Sequence, residues 1–393
     1  MNPFRQIPIR ATYMRGGTSK GVFFVVDDLP VLAQNDASAL DRLILRVIGS
    51  PDPYAKHIDG MGGATSSTSK VVLVSKSQRS DCDVDFRFGA VSIESPTVDW
   101  SGNCGNLTAA VGPFAIHRGL VSAPSDGMAV VRIWQANIGK LIVAHVPMAN
   151  GEVVELGDFE LDGVTFPAAE VRLEFLDPGA DETGEGDATF PTGRAIDQLA
   201  VPGLGSLDVT LINSGIPSVF VQAQAIGLSG TEMPSDINAN ANLLGLLESI
   251  RSHASVAMGL SATPQEATAS RPHTPKLTLF CAPATYIASN GRVVHGADID
   301  LVARTISMGK AHHAMTGTGA VAIAVAAVIP GTILQRIVGH APGGVIRFGH
   351  PSGTLTVAAD TTQHNGSWTV RKVSLSRSAR RLMEGHVLVP KVY

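Results

Sequence analysis

Two blocks of this sequence recur in the same order. "SKGVFFV" (Ser19–Val25) can be laid over "IPSVFVQ" (Ile216–Gln222), each a small-residue loop running into an apolar strand. "CGNLTAAV" (Cys104–Val111) can be laid over "TGTGAVAI" (Thr316–Ile323), each a run of small polar residues opening an Ala/Val helix. The separations are similar, 85 residues from Ser19 to Cys104 and 100 from Ile216 to Thr316. Repeated parts in a repeated order predict two copies of one structural unit. The expectation is two related β-rich domains, each with one helix whose N-terminus points at the space between them. A chain of 393 residues is long enough for both, and 44% hydrophobic against 16% charged residues supplies a sizeable core. The break is read in the acidic, Gly-rich stretch "DPGADETGEGDATFPTGR", dividing 1–188 from 189–376.

Short β-branched runs such as "KVVLVS", "VDFRF" and "KLTLF" come at close spacing, as in a β-rich fold. Helices are predicted over Asp36–Ile48, Thr108–His117, Asn238–Arg251, Ala303–Met308 and Ala320–Ile329, and "SATPQEATASRPHTPK" reads as a long loop. A net charge of −4 argues against nucleic acid or an anionic membrane as the main partner. No apolar run is long enough to span a bilayer, and the N-terminal residues carry no signal-peptide pattern. Three scattered cysteines with no CxxC predict a reducing cytoplasm rather than a disulfide framework, and no metal site is expected. "GTGAVA" satisfies GxGxxA but follows "SMGKAHHAMT" instead of a buried strand and lacks the acidic residue about twenty positions on, so a dinucleotide site is rejected.

Three features carry chemistry. The first is the pair of helix openings, Cys104–Asn106 and Thr316–Gly319, where glycine lets a ligand approach N–H groups at the positive end of a helix. Two such openings suit a molecule with several carboxylates. The second is Cys104. Most free cysteines are inert packing residues, as Cys82 and Cys281 read here, but a thiol at a helix N-terminus is biased towards thiolate. The third is Lys70, at the end of the small-residue stretch "HIDGMGGATSSTSK". A lysine is usually a solvated surface charge, but burial at such a loop–strand junction favours a free amine able to take a proton. The turns "MRGGTSKG", "NSGIPS" and "RFGHPSG" add Thr18, Ser19, Asn213, Arg347 and Ser352 as candidate contacts to a carboxylate, each equally readable as a plain tight turn.

"MRGGTSKGVFF", "DGMGGATSSTSKVVLVS", "SGNCGNLTAAVGPFAI", "NSGIPSVFV", "GTGAVA", "GHPSG" and the closing "SRSARRLMEGHVLVP" resemble the PrpF family of 2-methylaconitate isomerases along nearly the whole chain. The resemblance implies an α+β fold like that of diaminopimelate epimerase. It has two pseudo-symmetric, β-barrel-like domains, each wrapped around a central helix, with the active site in the cleft between them and residues 377–393 packing back on the first domain. Epimerases of that fold use a cysteine at the start of each central helix. Cys104 occupies the first place, but Thr316 occupies the second, and a threonine hydroxyl is too weak an acid for a two-thiol mechanism. Lys70 and Ser19 match the family's lysine and loop serine.

The reaction so implied is a cofactor-independent 1,3-proton shift in an unsaturated tricarboxylate. Lys70 is the main base and Cys104 the acid or assisting base. Carboxylates sit at Gly105 and Asn106 and at Thr316, Gly317, Thr318 and Gly319; Thr18, Ser19, Asn213 and Ser352 orient the substrate and Arg347 neutralises a carboxylate. Two alternatives share the resemblance: a 4-oxalomesaconate tautomerase, and a non-catalytic accessory of an iron–sulfur dehydratase. The apolar strands are a candidate homodimer edge.

Overall fold

The computed structural model describes residues 5–179, 189–364 and 367–390, so the predicted boundary at 188 lies outside the described residues. Two compact units emerge. Unit 1 takes Met1–Leu161, Phe166–Leu173 and Arg377–Tyr393, and unit 2 takes Asp162–Thr165 and Glu174–Ser376.

Unit 1 is built on β1 (Gln6–Gly16), β2 (Ser19–Val25), α1 (Ala37–Ile48), β3 (Lys70–Lys76), β4 (Val84–Val91), α2 (Gly105–His117), β5 (Gly127–Gln135) and β6 (Lys140–Ala149). The first pair is antiparallel (Gly16 opposite Ser19). The next is parallel (Val22 opposite Val71), then antiparallel (Lys70 opposite Ala90), parallel (Val84 opposite Ile133) and antiparallel again between β5 and β6. Each parallel step needs a crossover, and α1 and α2 are those crossovers.

Alternation along the strands sorts the side chains. Val22 and Phe24 of β2 and Val71 and Leu73 of β3 join one core cluster with Leu40, Leu43, Ile44 and Val47 of α1. Those helix positions recur at helical spacing, Asp36 caps the helix by accepting from Ala39 N at 2.8 Å, and Gly49 ends it in the left-handed region at φ 84°. Phe23 faces the other way, its ring centroid 5.4 Å from that of Phe114 on α2. By the same period of two, Lys70 and Val72 share a face of β3 opposite to that of Val71 and Leu73. Eleven of the thirteen residues of α2 are buried, as for a helix apolar on all sides.

Unit 2 repeats the order with β7 (Gly205–Ser214), β8 (Ile216–Gln222), α3 (Ala241–Ala257), β9 (Lys276–Cys281), β10 (Leu301–Ser307), α4 (Gly317–Val328), β11 (Val345–His350) and β12 (Gly353–His364). The pairings again run antiparallel, parallel, antiparallel, parallel, antiparallel: Ser214 opposite Ile216, Ser218 opposite Lys276, Leu277 opposite Ile306, Leu301 opposite Phe348 and Gly349 opposite Thr354. Val219, Val221, Leu277, Leu279 and Ile306 pack with Leu247, Ile250 and Ala254 of α3, and α4 is buried at every position but the last.

Three local expectations are corrected. Ala303–Met308 is not a helix: Leu301–Ser307 is a strand, buried at all seven positions and paired on both sides, because sheet neighbours outweigh the helix-compatible Leu, Ala and Arg. The helix at Asn238–Arg251 is two, Pro234–Ala239 and Ala241–Ala257, the second capped by Asn240. The supposed loop holds a helix, Pro264–Ser270, where Thr263 caps the backbone of Glu266 and Pro264 starts the first turn. Among the described residues no helix is long and apolar enough to cross a membrane.

Candidate active site

The unit 1 candidates converge on the first turn of α2. Cys104 is its N-cap residue, extended at φ −120° and ψ 90°, and its side chain makes no capping bond. Thr108, one turn on, instead satisfies the loop backbone: its hydroxyl donates to Cys104 O at 3.0 Å and to Asn103 Oδ1 at 3.3 Å. The sulfur is thus at a helix N-terminus without a structural duty there. It is 3.6 Å from Nζ of Lys70, and both residues are buried, 6% and 4% exposed. Lys70 is the first residue of β3, and its amine also lies 4.7 Å from the Phe88 ring centroid. Gly21, on the neighbouring β2, is needed there, since a Cβ would come 2.7 Å from Lys70 O.

The β1–β2 turn completes the cluster. Thr18 Oγ1 accepts from Asn106 Nδ2 at 2.9 Å, and Ser19 is buried at the start of β2. Gly17 is left-handed at φ 50°, and a Cβ there would meet Asn106 Oδ1 at 2.6 Å and Arg377 Cδ at 3.0 Å. Gly16 is as tight, 2.5 Å from Asn106 O. These glycines let the turn lie directly on α2.

Sequence reasoning missed Arg377. Its side chain is among the largest fully buried in the protein, and Nε donates to Asn106 Oδ1 at 3.0 Å. Burial pushes its pKa down to about 10, and the nearby Cys104 opposes this, so the guanidinium is charged at neutral pH. Arg15 holds the segment: its Nη1 donates to Gly17 O, Ser378 O and Ser378 Oγ at 3.1, 2.9 and 3.0 Å. The only signal was the arginine-rich "SRSARR"; no spacing links residue 377 to residue 106.

In unit 2, Thr316 is the N-cap residue of α4, matching Cys104, but its hydroxyl accepts from Gly319 N at 3.2 Å and is used as a cap. Gly317, Thr318 and Gly319 are buried in the first turn. Asn213 donates its backbone N–H to Thr189 O at 2.8 Å. Ser352 is buried, its hydroxyl donating to His313 O at 2.6 Å. Arg347 does not join a buried cluster: it lies on the exposed face of β11, opposite the buried Ile346 and Phe348, and its backbone N–H donates to Asp300. Cys82 and Cys281 are buried, and burial raises both thiols, as packing residues.

The two units give this chain an epimerase-like fold. Its architecture matches a hydroxyproline epimerase from Agrobacterium vitis with a TM-score of 0.55 at 14% identity, over 98% of this chain and 94% of that one. The family model of the PrpF protein matches residues 6–390, and the chain belongs to that family. It is 59% identical to the 2-methyl-aconitate isomerases of Shewanella oneidensis, over 389 residues, and Cupriavidus necator, over 388, covering 98% of each chain in both cases. The 4-oxalomesaconate tautomerase of Pseudomonas putida is 37% identical over 98% of this chain and 97% of that one. A solved methylitaconate-delta-isomerase superposes with a TM-score of 0.75 at 38% identity, over 98% and 96% of the two chains.

Proposed function

We propose that this chain is a cofactor-independent isomerase that moves a double bond in an unsaturated tricarboxylate by a 1,3-proton shift, with 2-methylaconitate as its substrate. The observation that carries the reaction type is the contact of Lys70 Nζ with Cys104 Sγ, 3.6 Å apart and buried at an uncapped helix N-terminus. The substrate rests on the 59% identity to two 2-methyl-aconitate isomerases, against 37% to the oxalomesaconate tautomerase.

The Lys70 amine takes a proton from the allylic carbon. The electron pair left behind spreads through the double bond into a conjugated carboxylate, so the substrate itself delocalises the charge. The Arg377 guanidinium and the first amides of α2 stabilise that dienolate, because fixed donors in a dry site need no reorganisation as charge develops. The Lys70 ammonium returns the proton at the far carbon, or Cys104 does and is reprotonated by the ammonium 3.6 Å away, so that both groups end as they began. Thr18 and Ser19 orient the substrate, and Arg377, being buried beside the thiol, takes the neutralising role expected of Arg347. Asn213, Ser352 and the Thr316–Gly319 opening are the further candidate contacts to a carboxylate in this reading.

The test is an NMR assay of the purified protein with 2-methylaconitate in D2O, reading isomer ratio and deuterium together. Conversion is expected, with Lys70→Met and Cys104→Ala each slower by about 10²–10⁴-fold at an unchanged melting temperature, the usual worth of a positioned acid or base. Unconverted 2-methylaconitate alongside turnover of oxalomesaconate would reassign the substrate, and full activity in Lys70→Met would remove the base.

A further inference from the structure

The Lys70 amine has an unusual neighbour for a buried lysine. Among the described residues its one hydrogen-bond partner is Cys104 Sγ at 3.6 Å, and the Phe88 ring covers another side. Lys276, as deeply buried, is held by oxygen and nitrogen instead, Ser307 Oγ at 2.6 Å and His273 Nδ1 at 3.0 Å. The other two thiols have no amine beside them. Cys281 Sγ lies against Gly230, where a Cβ would come within 2.6 Å, and near the Arg304 guanidinium. Cys82 stands beside Arg79 and Asp81. A guanidinium stays protonated, so the arginine near each of those thiols cannot attack sulfur. A neutral lysine amine can.

The backbones around the pair are fixed while the two reactive atoms are not. Lys70 is anchored in β3 opposite Ala90 of β4, and its four-carbon stem leaves the amine room to move. Cys104 makes no capping bond with its side chain, because the Thr108 hydroxyl holds the loop through Cys104 O and Asn103 Oδ1. The sulfur therefore changes its covalent state without α2 losing a hydrogen bond. The separation of 3.6 Å is only just beyond the roughly 3–3.5 Å of a near-attack arrangement.

We propose that Lys70 and Cys104 are a modification site: with a peroxide as oxidant they close a reversible sulfur–nitrogen bond, a sulfenamide, that switches the site off. A helix N-terminus and an adjacent ammonium favour the thiolate, the form that attacks peroxide. The Cys104 thiolate takes one peroxide oxygen and the O–O bond breaks. The sulfur loses two electrons and becomes a sulfenic acid, and the leaving hydroxide takes a proton from the Lys70 ammonium to form water. The amine so freed attacks the sulfenic sulfur. The S–O bond breaks, and its hydroxide leaves with an amine proton as a second water. One peroxide is consumed, two waters form, and nitrogen and sulfur are joined. Sulfenic acids condense with nitrogen in this way, and one left uncaptured meets a second peroxide and goes on to irreversible sulfinic acid. Two external thiols undo the bond. The first binds the sulfur as a mixed disulfide and gives its proton to the departing amine, and the second displaces Cys104 as a thiol.

The inference rests on the isomerase reading for its effect on turnover, while the bond itself is read without it. The purified full chain, free of added thiol, is treated with hydrogen peroxide, digested with trypsin without reduction and analysed by mass spectrometry, with 2-methylaconitate turnover followed on the same samples. A peptide pair joined through Lys70 and Cys104 is expected, lighter by two hydrogens than the separate peptides together and uncleaved after Lys70. Turnover is expected to fall as the pair forms, and dithiothreitol to restore both the separate peptides and the activity. Lys70→Met cannot close the bond, so its Cys104 is expected to be trapped by dimedone as sulfenic acid or to gain two oxygens that dithiothreitol does not remove. Should that variant not fold, the wild-type peptide pair decides alone. Ordinary cleavage after Lys70 while Cys104 carries oxygen, a Cys104 that peroxide leaves untouched, or a joined pair that retains an oxygen each overturns the sulfenamide. A joined pair with undiminished turnover overturns the switch. A wild type that forms the pair but does not isomerise 2-methylaconitate before peroxide is added overturns the isomerase reading alone, and the modification site stands.

Discussion

Cys104 and Thr316 hold the same position in two copies of one helix opening, and each does what its side-chain atom allows. Oxygen accepts well from a backbone N–H, so Thr316 caps α4 through Gly319. Sulfur accepts poorly, so Cys104 leaves the cap unmade and lies 3.6 Å from an amine instead. Arg377 is the other residue on which the opening depends, since its Nε bond to Asn106 Oδ1 orients the amide that reaches Thr18. Lysine keeps the charge at position 377 but not the planar fork. Arg377→Lys is therefore expected to raise KM about tenfold, through the loss of one charged hydrogen bond, while the melting temperature shifts by only a few degrees. Steady-state kinetics beside a thermal melt checks this, and an unchanged KM would remove Arg377 from the site.

At the scale of elements, α2 fixes the site because it is held on every side. Phe114 packs against Phe23 at 5.4 Å and is fully buried, nearly three turns below the helix opening. Phe114→Ala should cost about 3–5 kcal/mol in denaturant unfolding by leaving a cavity, and should lower kcat more than a surface substitution of equal stability cost, because the opening loses its rigid support. The elements also show where local pattern was a sound guide. α1 and α2 were legible because a capping Asp36 and a run of small residues mark their starts. Leu301–Ser307 was not, since nothing in those seven residues records that strands pair with it on both sides. The helix Pro264–Ser270 was written in Thr263, Pro264 and Glu266, a signal hidden by the loop-like composition around it.

Over the whole molecule, pH acts through groups that folding has moved. His117, at the end of α2, has its pKa lowered by burial first and by Arg381 second, against the opposing pull of Glu155, Glu384 and Glu152. The folded protein thus favours neutral His117, while the unfolded chain takes up a proton near the ordinary 6.5. Below that pH the unfolded state binds more protons, so the stability contributed by neutral His117 is lost as pH falls from about 6.5 towards the lower folded value. The melting temperature of the wild type should fall between pH 7.5 and 5.5, and His117→Gln should flatten that fall; parallel curves would discount the effect.

The sequence by itself determined the repeat, the two helix openings, and Lys70 and Cys104 as candidates, to which the family resemblance added the departure from a two-thiol mechanism at Thr316. All of these are local: a run of small residues, a cap position, the order of blocks along the chain. Tertiary structure decided the rest. It brought Arg377 to Asn106 across 271 positions of chain and left Arg347 on an exposed strand face. Strand pairing and burial join residues far apart in sequence, and no window of neighbouring residues contains that information.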